Sequence, residues 1–198
     1  MKTMVLIPWA ATEEFMNYHR SSLPSDVDVV CLKEGPLMEN NIARNLPALV
    51  TAIQEAEKQG YDAVVVGCLD DPGVEITREF VGIPVLGPLN VGLHISQMIG
   101  HRTLLLAPEI ARTRFQFPEI VTTYGLRDRV VVRGTNASPP ESIGAYRDYK
   151  ATGKISPFIT EVVNICVKSI EEDGVDVIVL GCGGLKWMKE VLESELAK

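Results

Sequence analysis

Short apolar runs alternate with amphipathic stretches along most of the chain. In the first hundred residues the apolar runs predict four strands, at 3–7, 27–32, 63–66 and 83–86. The stretches between and after them predict helices, at 12–19, 42–59, 74–80 and 89–99. Pro47 is expected to start the second of these helices late or to kink it. Because strands and helices alternate regularly, the pattern predicts a parallel sheet covered by helices.

The second half of the chain repeats this pattern more loosely. It predicts strands at 103–107, 129–133 and 176–180 and helices at 109–124, 155–172 and 185–196. The first of these helices is expected to break near Pro118, and residues 134–140 are expected to form a loop. We therefore expect an α/β fold with two pseudo-symmetric Rossmann-like lobes, residues 1–100 and 101–198. A cleft between two such lobes would be the small-molecule site.

One stretch of sequence occurs twice. Residues 58–68 read KQGYDAVVVGC, and residues 172–182 read EDGVDVIVLGC. Each copy has a helix-ending glycine, an aspartate, four apolar residues and then Gly-Cys. The apolar residues indicate a buried parallel strand, and such strands end at the sheet edge where open α/β folds bind ligands. The repeat therefore predicts that Cys68 and Cys182 each lie just past the carboxyl end of a central strand.

The four cysteines divide into two pairs. A turn and a helix start follow Cys68 and Cys182, and a helix N-terminus would lower a thiol pKa from ~8.5 towards neutrality. Buried packing is the commonest use of cysteine, but the repeated Gly-Cys favours catalysis or ligand contact for this pair. A redox disulfide between them is an open alternative, if their Cα atoms come within ~7 Å. Cys31, inside a strand, and Cys166, in the apolar stripe of a helix, are predicted to be structural.

Two polar or flexible turns accompany the cysteine pair. Residues Asp70, Asp71, Pro72 and Gly73 form either a capped turn or a site whose carboxylates orient or deprotonate Cys68 or bind a substrate N–H. Gly183 and Gly184 let backbone N–H groups approach a bound anion, or simply make a tight strand-to-helix turn.

The net charge and the composition argue against several kinds of binding partner. The net charge of −7 and the pI of about 5.0 argue against nucleic acid and an anionic membrane surface. No apolar run approaches the ~18–20 residues of a transmembrane helix, and the first residues are too short for a signal peptide. Four cysteines do not make a disulfide framework, which favours the cytoplasm. Without Cys-x-x-Cys or a paired histidine motif, we expect no metal, and a small molecule is the expected substrate.

Both cysteine motifs resemble those of a known family. Residues 67–73, GCLDDPG, resemble the first active-site motif of hydantoin racemases in the aspartate/glutamate/hydantoin racemase family. Residues 181–185, GCGGL, look like the second-cysteine motif of that family, and HISQMIG at 94–100, with Arg102 and an apolar strand after it, is also similar. The resemblance implies two pseudo-symmetric lobes and cofactor-independent racemisation, with Cys68 and Cys182 as the acid/base pair.

Three features depart from the family pattern. Members usually have a polar Asn-Pro-Asn-Ser/Thr loop after the first strand, which helps to hold the substrate. Here that loop begins with Pro8 and Trp9, so the resemblance implies a less polar contact from these two residues. Ala107-Pro108-Glu109 stands where hydantoin-type members have threonines, and members usually continue with a strand and helix after the last motif. The latter difference is expected either to weaken the closure of the lobes or to be offset by formation of a homo-oligomer.

The prediction is a racemase that moves a proton at a carbon next to a carbonyl in a hydantoin-like or amino-acid substrate. The Asp-Pro-Gly motif favours the hydantoin type, and a neutral cyclic imide has the more acidic Cα–H. One alternative is a related lyase or isomerase, decarboxylase-like or maleate-isomerase-like, that uses a single cysteine. Another is a non-catalytic member that binds a small molecule or undergoes redox change.

Overall fold

The computed structural model describes residues 1–33, 42–108, 113–137 and 139–197. The chain divides into two units, Met1–Val91 and Gly92–Lys198, each built around its own parallel sheet. The predicted α/β fold with two parallel sheets is therefore confirmed. Among the described residues, no helix is both long and apolar enough to cross a membrane.

The first unit contains a four-stranded sheet in the order β2-β1-β3-β4. Its strands are β1 (Thr3–Ile7), β2 (Val27–Cys31), β3 (Ala63–Val66) and the short β4 (Val85–Leu86). Its helices are α1 (Glu13–Arg20), α2 (Leu46–Lys58) and α3 (Val74–Arg78), and α4 (Pro88–Ile99) begins in this unit and continues into the second. All strands of this sheet run parallel, and Thr3 of β1 lies beside both Val27 of β2 and Ala63 of β3.

Local signals explain where the first helices begin. The hydroxyl of Thr12 accepts the backbone N–H of Phe15 at 3.3 Å and caps α1. Residues Ile42–Asn45 form a 3-10 helix, and α2 starts at Leu46 with Pro47 in its first turn. Proline is tolerated there because the N–H that it lacks would have no partner within the helix. The expected late start at Pro47 is confirmed.

The second unit contains a three-stranded sheet in the order β6-β5-β7. Its strands are β5 (Thr103–Ala107), β6 (Val130–Gly134) and β7 (Val177–Leu180). Its helices are α5 (Gln116–Thr123), α6 (Pro139–Thr152), α7 (Pro157–Asp173) and α8 (Met188–Leu196). Thr103 pairs with both Val130 and Val177, so β5 takes the central place that β1 has in the first sheet.

Two elements of the second unit differ from the prediction. Helix α6 was missed, because its sequence contains Gly144 and many polar residues and shows no clear apolar stripe. The predicted helix at 109–124 starts at Gln116 in the described part of the chain, and residues 109–112 lie outside that part. Pro118 lies in the first turn of α5 and does not break it, because an N–H in that turn would have no partner within the helix.

Each sheet buries side chains against its helices. In the first unit, α2 packs on one face of the sheet, and the core there includes Leu6, Leu49, Ile53, Val64 and Val66. The other face carries a smaller cluster of Val5, Ile7, Trp9, Met16 and Val29. In the second unit, the core includes Leu104, Leu106, Ile159, Val162 and Cys166. This packing of side chains against the sheets fixes the positions of the carboxyl ends of the strands.

Candidate functional site

The two repeated cysteines follow equivalent strands and are held by equivalent backbone bonds. The N–H of Gly67 donates to the carbonyl of Leu6 at 2.8 Å, and the N–H of Gly181 donates to the carbonyl of Leu106 at 2.8 Å. Each bond extends the pairing with the central strand by one residue beyond the apolar run. Cys68 and Cys182 therefore lie just past the carboxyl ends of β3 and β7, where the sequence predicts them.

The glycine before each cysteine lies close to the central strand of its sheet. A β-carbon on Gly67 would lie 2.5 Å from Cδ1 of Ile7. A β-carbon on Gly181 would lie 2.9 Å from both Cδ1 of Leu105 and the carbonyl oxygen of Leu106. A side chain does not fit at either position without movement of a neighbour, so the glycine before each cysteine is a steric requirement of the strand end.

The Cys182 thiol accepts a backbone hydrogen bond from its own turn. Cys182 is extended and half-buried, and residues Gly183–Leu185 after it form a 3-10 turn. The N–H of Gly184 donates to Sγ of Cys182 at 3.4 Å. This backbone donor fixes the position of the sulfur at the start of the turn.

Helix α6 holds the turn after Cys182 from outside. The hydroxyl of Ser142, on α6, donates to the carbonyl of Gly184 at 3.0 Å. Trp187 follows the turn and stacks on Tyr146 and Tyr149 of α6 and on Phe158 of α7, with ring centroids 5.4, 6.2 and 6.2 Å apart. Helix α6 is not predicted from the sequence, so these supports are not predicted either. The signals that the sequence offers for this helix are the paired prolines at its start and the acid in its first turn.

A lysine lies at the end of the same turn. Lys186 is half-buried, and burial lowers the pKa of its ammonium group because the charged form loses hydration. Its backbone N–H donates to the carbonyl of Gly183 at 3.3 Å, which closes the 3-10 turn. Lys186 was not singled out from the sequence, where a charged residue before an aromatic one carries no particular signal.

The turn after Cys68 separates its two aspartates. Asp71 is 7% exposed, whereas Asp70 is half-buried. The Asp71 carboxylate accepts the backbone N–H of Leu89 at 3.0 Å and of Asn90 at 2.6 Å, both in the first turn of α4. Of the two alternatives for this turn, the structure shows a cap for Asp71; contact of Asp70 or Asp71 with a substrate stays a prediction.

Pro72 and Gly73 complete that turn. Gly73 has a φ of 69° and directly precedes α3, and a β-carbon on it would lie 2.9 Å from Cδ2 of Leu46. The positive φ and the contact with Leu46 both require glycine at this position. Substrate contact from Pro72 and Gly73, and from Gly183 and Gly184 in the second unit, stays a prediction.

The loop after β1 is more buried than its predicted role would suggest. Trp9 is 8% exposed and packs edge-on against Phe15, with ring centroids 5.8 Å apart. Pro8 is buried, and its carbonyl accepts a 3.0 Å bond from Nδ2 of Asn45. Asn45, itself 6% exposed, was missed from the sequence, where an asparagine before a helix looks like an ordinary cap. Substrate contact from Pro8 and Trp9 stays a prediction.

Cys31 and Cys166, the two cysteines outside the repeat, are packed against apolar side chains. None of the four cysteines forms a disulfide in the described part of the chain, and Cys166 is fully buried in the core of the second unit, where burial raises its pKa to about 12. Cys31 packs with the cluster around Trp9. In the described ranges of the chain, no three His, Cys, Asp or Glu side chains are grouped so that they would hold a metal ion.

The chain is similar to proteins of known class. The family model described as "Asp/Glu/Hydantoin racemase" matches residues 11–198. A hydantoin racemase from Pseudomonas sp. (strain NS671) is 26% identical over 204 residues, covering 99% of this chain and 78% of that protein.

Solved structures share the fold at lower identity. An allantoin racemase from Klebsiella pneumoniae superposes with a TM-score of 0.76 at 23% identity, over 98% of this chain and 79% of that one. A variant of an arylmalonate decarboxylase superposes with a TM-score of 0.60 at 18% identity, over 98% of this chain and 83% of that one. Different chemistry therefore occurs on this one scaffold.

Proposed function

This chain belongs to the Asp/Glu/hydantoin racemase family and is an isomerase of the racemase class, and we propose that it works without a cofactor, through Cys68 and Cys182 as an acid/base pair. The observation that carries this proposal is the matched placement of the two thiols. Each follows an equivalent strand, and the glycine before each makes a bond of 2.8 Å to the central strand of its sheet. A repeated scaffold that presents the same reactive group twice suits a reaction that needs the same group on two faces of one carbon.

The proposed reaction exchanges one proton for another on opposite faces of a carbon. One cysteine, as thiolate, removes the proton from the carbon next to a carbonyl, and the electron pair moves onto the carbonyl oxygen to give an enolate. The other cysteine, as thiol, donates its proton to the opposite face, which inverts the centre. The protonation states of the two sulfurs are then reversed, and proton exchange with water restores them. For the other enantiomer the two cysteines exchange roles.

Backbone groups around Cys182 support this chemistry. The N–H of Gly184 already donates to Sγ and holds the sulfur in place before substrate binds. Gly183 and Gly184, without side chains, allow backbone N–H groups to approach a developing enolate oxygen. We propose that backbone N–H groups beside Asp70 take the corresponding part near Cys68. Pro72, which has no N–H, and Gly73 would contact the substrate from the same turn. Pro8 and Trp9 complete the proposed contacts as an apolar wall after β1.

We favour a hydantoin-like substrate over an acidic amino acid. The relative from Pseudomonas sp. is a hydantoin racemase. A neutral cyclic imide also carries no negative charge to oppose enolate formation, whereas the carboxylate of an amino acid does. The two buried residues after β1, Pro8 and Trp9, offer no charge to pair with a carboxylate.

A single-thiol reaction is the second candidate. The fold is shared with an arylmalonate decarboxylase, so the scaffold alone does not select between the two reactions. A decarboxylase needs one proton donor after loss of carbon dioxide, so only one of the two cysteines would be essential. Release of carbon dioxide from a malonate, with no inversion of a hydantoin, would favour it.

The test uses enantiopure 5-substituted hydantoins, allantoin and amino acids in heavy water. Optical rotation follows inversion, and NMR follows deuterium at the reacting carbon. With two bases, solvent deuterium enters mainly the product enantiomer. Cys68→Ser and Cys182→Ser each abolish inversion, since a serine hydroxyl is far too weak an acid to replace a thiol. The two variants retain exchange into opposite enantiomers.

Two outcomes would contradict the mechanism. Inversion at near the native rate by either serine variant would exclude the two-thiol pair. Retained exchange in the same enantiomer for both variants would show that the thiols do not serve opposite faces. The matched control is Cys31→Ser, which changes a thiol outside the proposed pair and should leave the rate within about twofold of native if the protein folds.

The location and assembly of the protein are also proposals. We propose a cytoplasmic location, because four cysteines without a disulfide suit a reducing compartment. We propose a homo-oligomer, and sedimentation equilibrium tests this against the chain mass of 21.7 kDa. A single species at that mass over the working concentration range would contradict it.

A further inference from the structure

The buried carboxylate of Asp71 connects the turn after Cys68 to the helix α4. Its two oxygens accept the N–H groups of Leu89 and Asn90 at 3.0 and 2.6 Å, and the residue is only 7% exposed. These N–H groups lie in the first helical turn, where a backbone donor has no partner within the helix and an acidic acceptor is favoured. Asp71 thus caps the start of α4, although it lies far from that helix in the sequence. It follows the proposed acid/base thiol of Cys68 by three positions.

The backbone of Asp71 is held in an unfavourable conformation. Its φ of 46° makes it the one residue other than glycine with a positive φ in the described part of the chain. Such a conformation is sparsely populated and persists only where the surroundings impose it. The Asp71 N–H donates to the carbonyl of Cys68 at 3.1 Å, so the strained residue and the cysteine share one turn.

The contact with α4 is also tight from the other side. Gly87 immediately precedes α4, and a β-carbon built on it would overlap the Asp71 carboxylate. Gly87 has no positive φ, so what requires glycine there is the space taken by the carboxylate. The Asp71 carboxylate occupies the space that a side chain at position 87 would need. A helix cap does not by itself require a glycine there.

We propose that Asp71 is a positioning residue: by anchoring its strained turn to α4, it fixes the direction of the Cys68 thiol. The inference rests on the proposed function, because fixing that thiol matters where it exchanges a proton with a substrate. A proton transfer works at ~3 Å, and a misplacement of about 1 Å costs on the order of a hundredfold in rate. The carboxylate acts through the turn, with its oxygens occupied by backbone N–H groups, and has no part in the proton transfer itself.

Three substitutions probe the anchor from different directions. Asp71→Asn keeps one acceptor and tolerates a positive φ, whereas Asp71→Gly removes both acceptors and relieves the strain. Gly87→Ala leaves the carboxylate intact but pushes it away from α4. The matched control is Asp62→Asn: the Asp62 carboxylate also accepts a backbone N–H, that of Lys2 at 2.6 Å, but at the amino end of the same sheet.

The first readout is the alkylation rate of each thiol by iodoacetamide, followed by peptide mass spectrometry from pH 6 to 9. Releasing the turn exposes the half-buried Cys68 sulfur, so its rate rises about three- to tenfold in the Asp71 variants and in Gly87→Ala. The rate at Cys182, in the same molecules, stays unchanged and serves as the internal reference. Asp62→Asn leaves both rates at the native value. Circular dichroism confirms that each variant is folded.

The second readout is the split between kcat and KM for hydantoin racemisation. We expect kcat to fall about ten- to a hundredfold in Asp71→Gly while KM stays within about threefold, because the proposed contacts from Pro8, Trp9, Gly183 and Gly184 lie outside the released turn. Asp71→Asn, with one acceptor left, retains more of the native kcat. A raised KM at native kcat would instead make Asp71 a substrate contact and overturn the proposal.

The pair Asp71 and Gly87 also predicts non-additivity. Gly87→Ala changes the Cys68 alkylation rate in the native background but by less than about 1.5-fold in the Asp71→Gly background, since the overlapping carboxylate is gone. Unchanged Cys68 alkylation in folded Asp71→Asn and Gly87→Ala overturns the proposal, even if Asp71→Gly does not fold. A native protein without racemase activity but with the expected thiol changes would contradict the proposed function alone.

Discussion

Neighbouring or identical residues take different roles in this chain because their surroundings differ. Asp70 and Asp71 are adjacent, yet only Asp71 is buried with both oxygens on backbone N–H groups of α4. Cys166 and Cys182 belong to the same unit, yet Cys166 is sealed in the core and Cys182 accepts a hydrogen bond at the end of a strand. Side-chain type therefore indicates which chemistry is available, and burial decides which copies are able to use it.

Cys166 should be inert as a thiol up to high pH. Burial raises its pKa from 9.0 to about 12, so at pH 9 iodoacetamide should modify Cys68 and Cys182 and leave Cys166 in the folded protein unmodified. The fold favours the neutral thiol, so the stability that this preference contributes is fully present below pH 9 and is lost as pH rises from 9 to 12. Cys166→Ala should remove that part of the pH dependence, at a cost of about 1–2 kcal/mol at neutral pH. Urea denaturation of both proteins at pH 7 to 10.5 measures the difference; Cys166 alkylation in folded protein at pH 9 would contradict it.

At the scale of elements, both copies of the repeated stretch attach their strand to the central strand of the sheet in the same way. Asp62 accepts the backbone N–H of Lys2 at 2.6 Å, and Asp176 accepts those of His101 and Arg102 at 2.8 and 2.9 Å. In each unit the aspartate thereby fixes the amino end of the central strand. The bonds from His101 and Arg102 also lower the pKa of Asp176, with the His101 N–H as the largest cause. The glycine before each cysteine bonds to the central strand at the carboxyl end, so the aspartate and that glycine of the repeat both have a structural reason.

The two glycines should not be equally tolerant of a methyl group. In Gly67→Ala, the β-carbon meets the end of the Ile7 side chain at 2.5 Å, and a side chain is able to change rotamer. In Gly181→Ala, it meets the Leu106 carbonyl oxygen at 2.9 Å, which belongs to the sheet backbone and accepts the Gly181 N–H. We expect about 2–3 kcal/mol of destabilisation for Gly181→Ala and about 1 kcal/mol for Gly67→Ala, measured by urea denaturation. The reverse order would show that the packed Ile7 is the more rigid neighbour.

At the scale of the whole molecule, the chain repeats a sheet and varies what surrounds it. Strands β5, β6 and β7 follow the order and register of β1, β2 and β3, with Thr103 in the place of Thr3. In the second unit the turn after the cysteine is held by α6, whereas in the first unit it is held by the start of α4. The two thiols are therefore presented alike but supported differently.

The two-thiol mechanism predicts a distance that solution chemistry measures. Each sulfur works at ~3 Å from one carbon, so the two sulfur atoms should lie about 6–8 Å apart in the working enzyme. A short bifunctional thiol reagent of that span should join Cys68 to Cys182 within one chain, and a bound hydantoin should slow the reaction. Cys68→Ser should abolish the product. Modification of both thiols without any cross-link would contradict the prediction.

The sequence by itself determined the strands, most of the helices and the placement of the two cysteines. Four consecutive apolar residues between glycines identify β3 and β7, because a strand buried on both faces needs a continuous apolar run. Pro47 identifies the start of α2, because its missing N–H affects only the turn of helix in which it lies. The family followed from the same two motifs, since each is a continuous stretch.

Only the tertiary structure decided which side chains support those cysteines. Helix α6 has no apolar stripe and is stabilised by Tyr146 and Tyr149 against Trp187, so its own sequence did not reveal it. The Asp71 carboxylate finds its partners at Leu89 and Asn90, on an element that β4 brings back beside the turn. Patterns along the chain report interactions between near neighbours, whereas the partner of a buried polar group depends on which distant segments the sheet brings together.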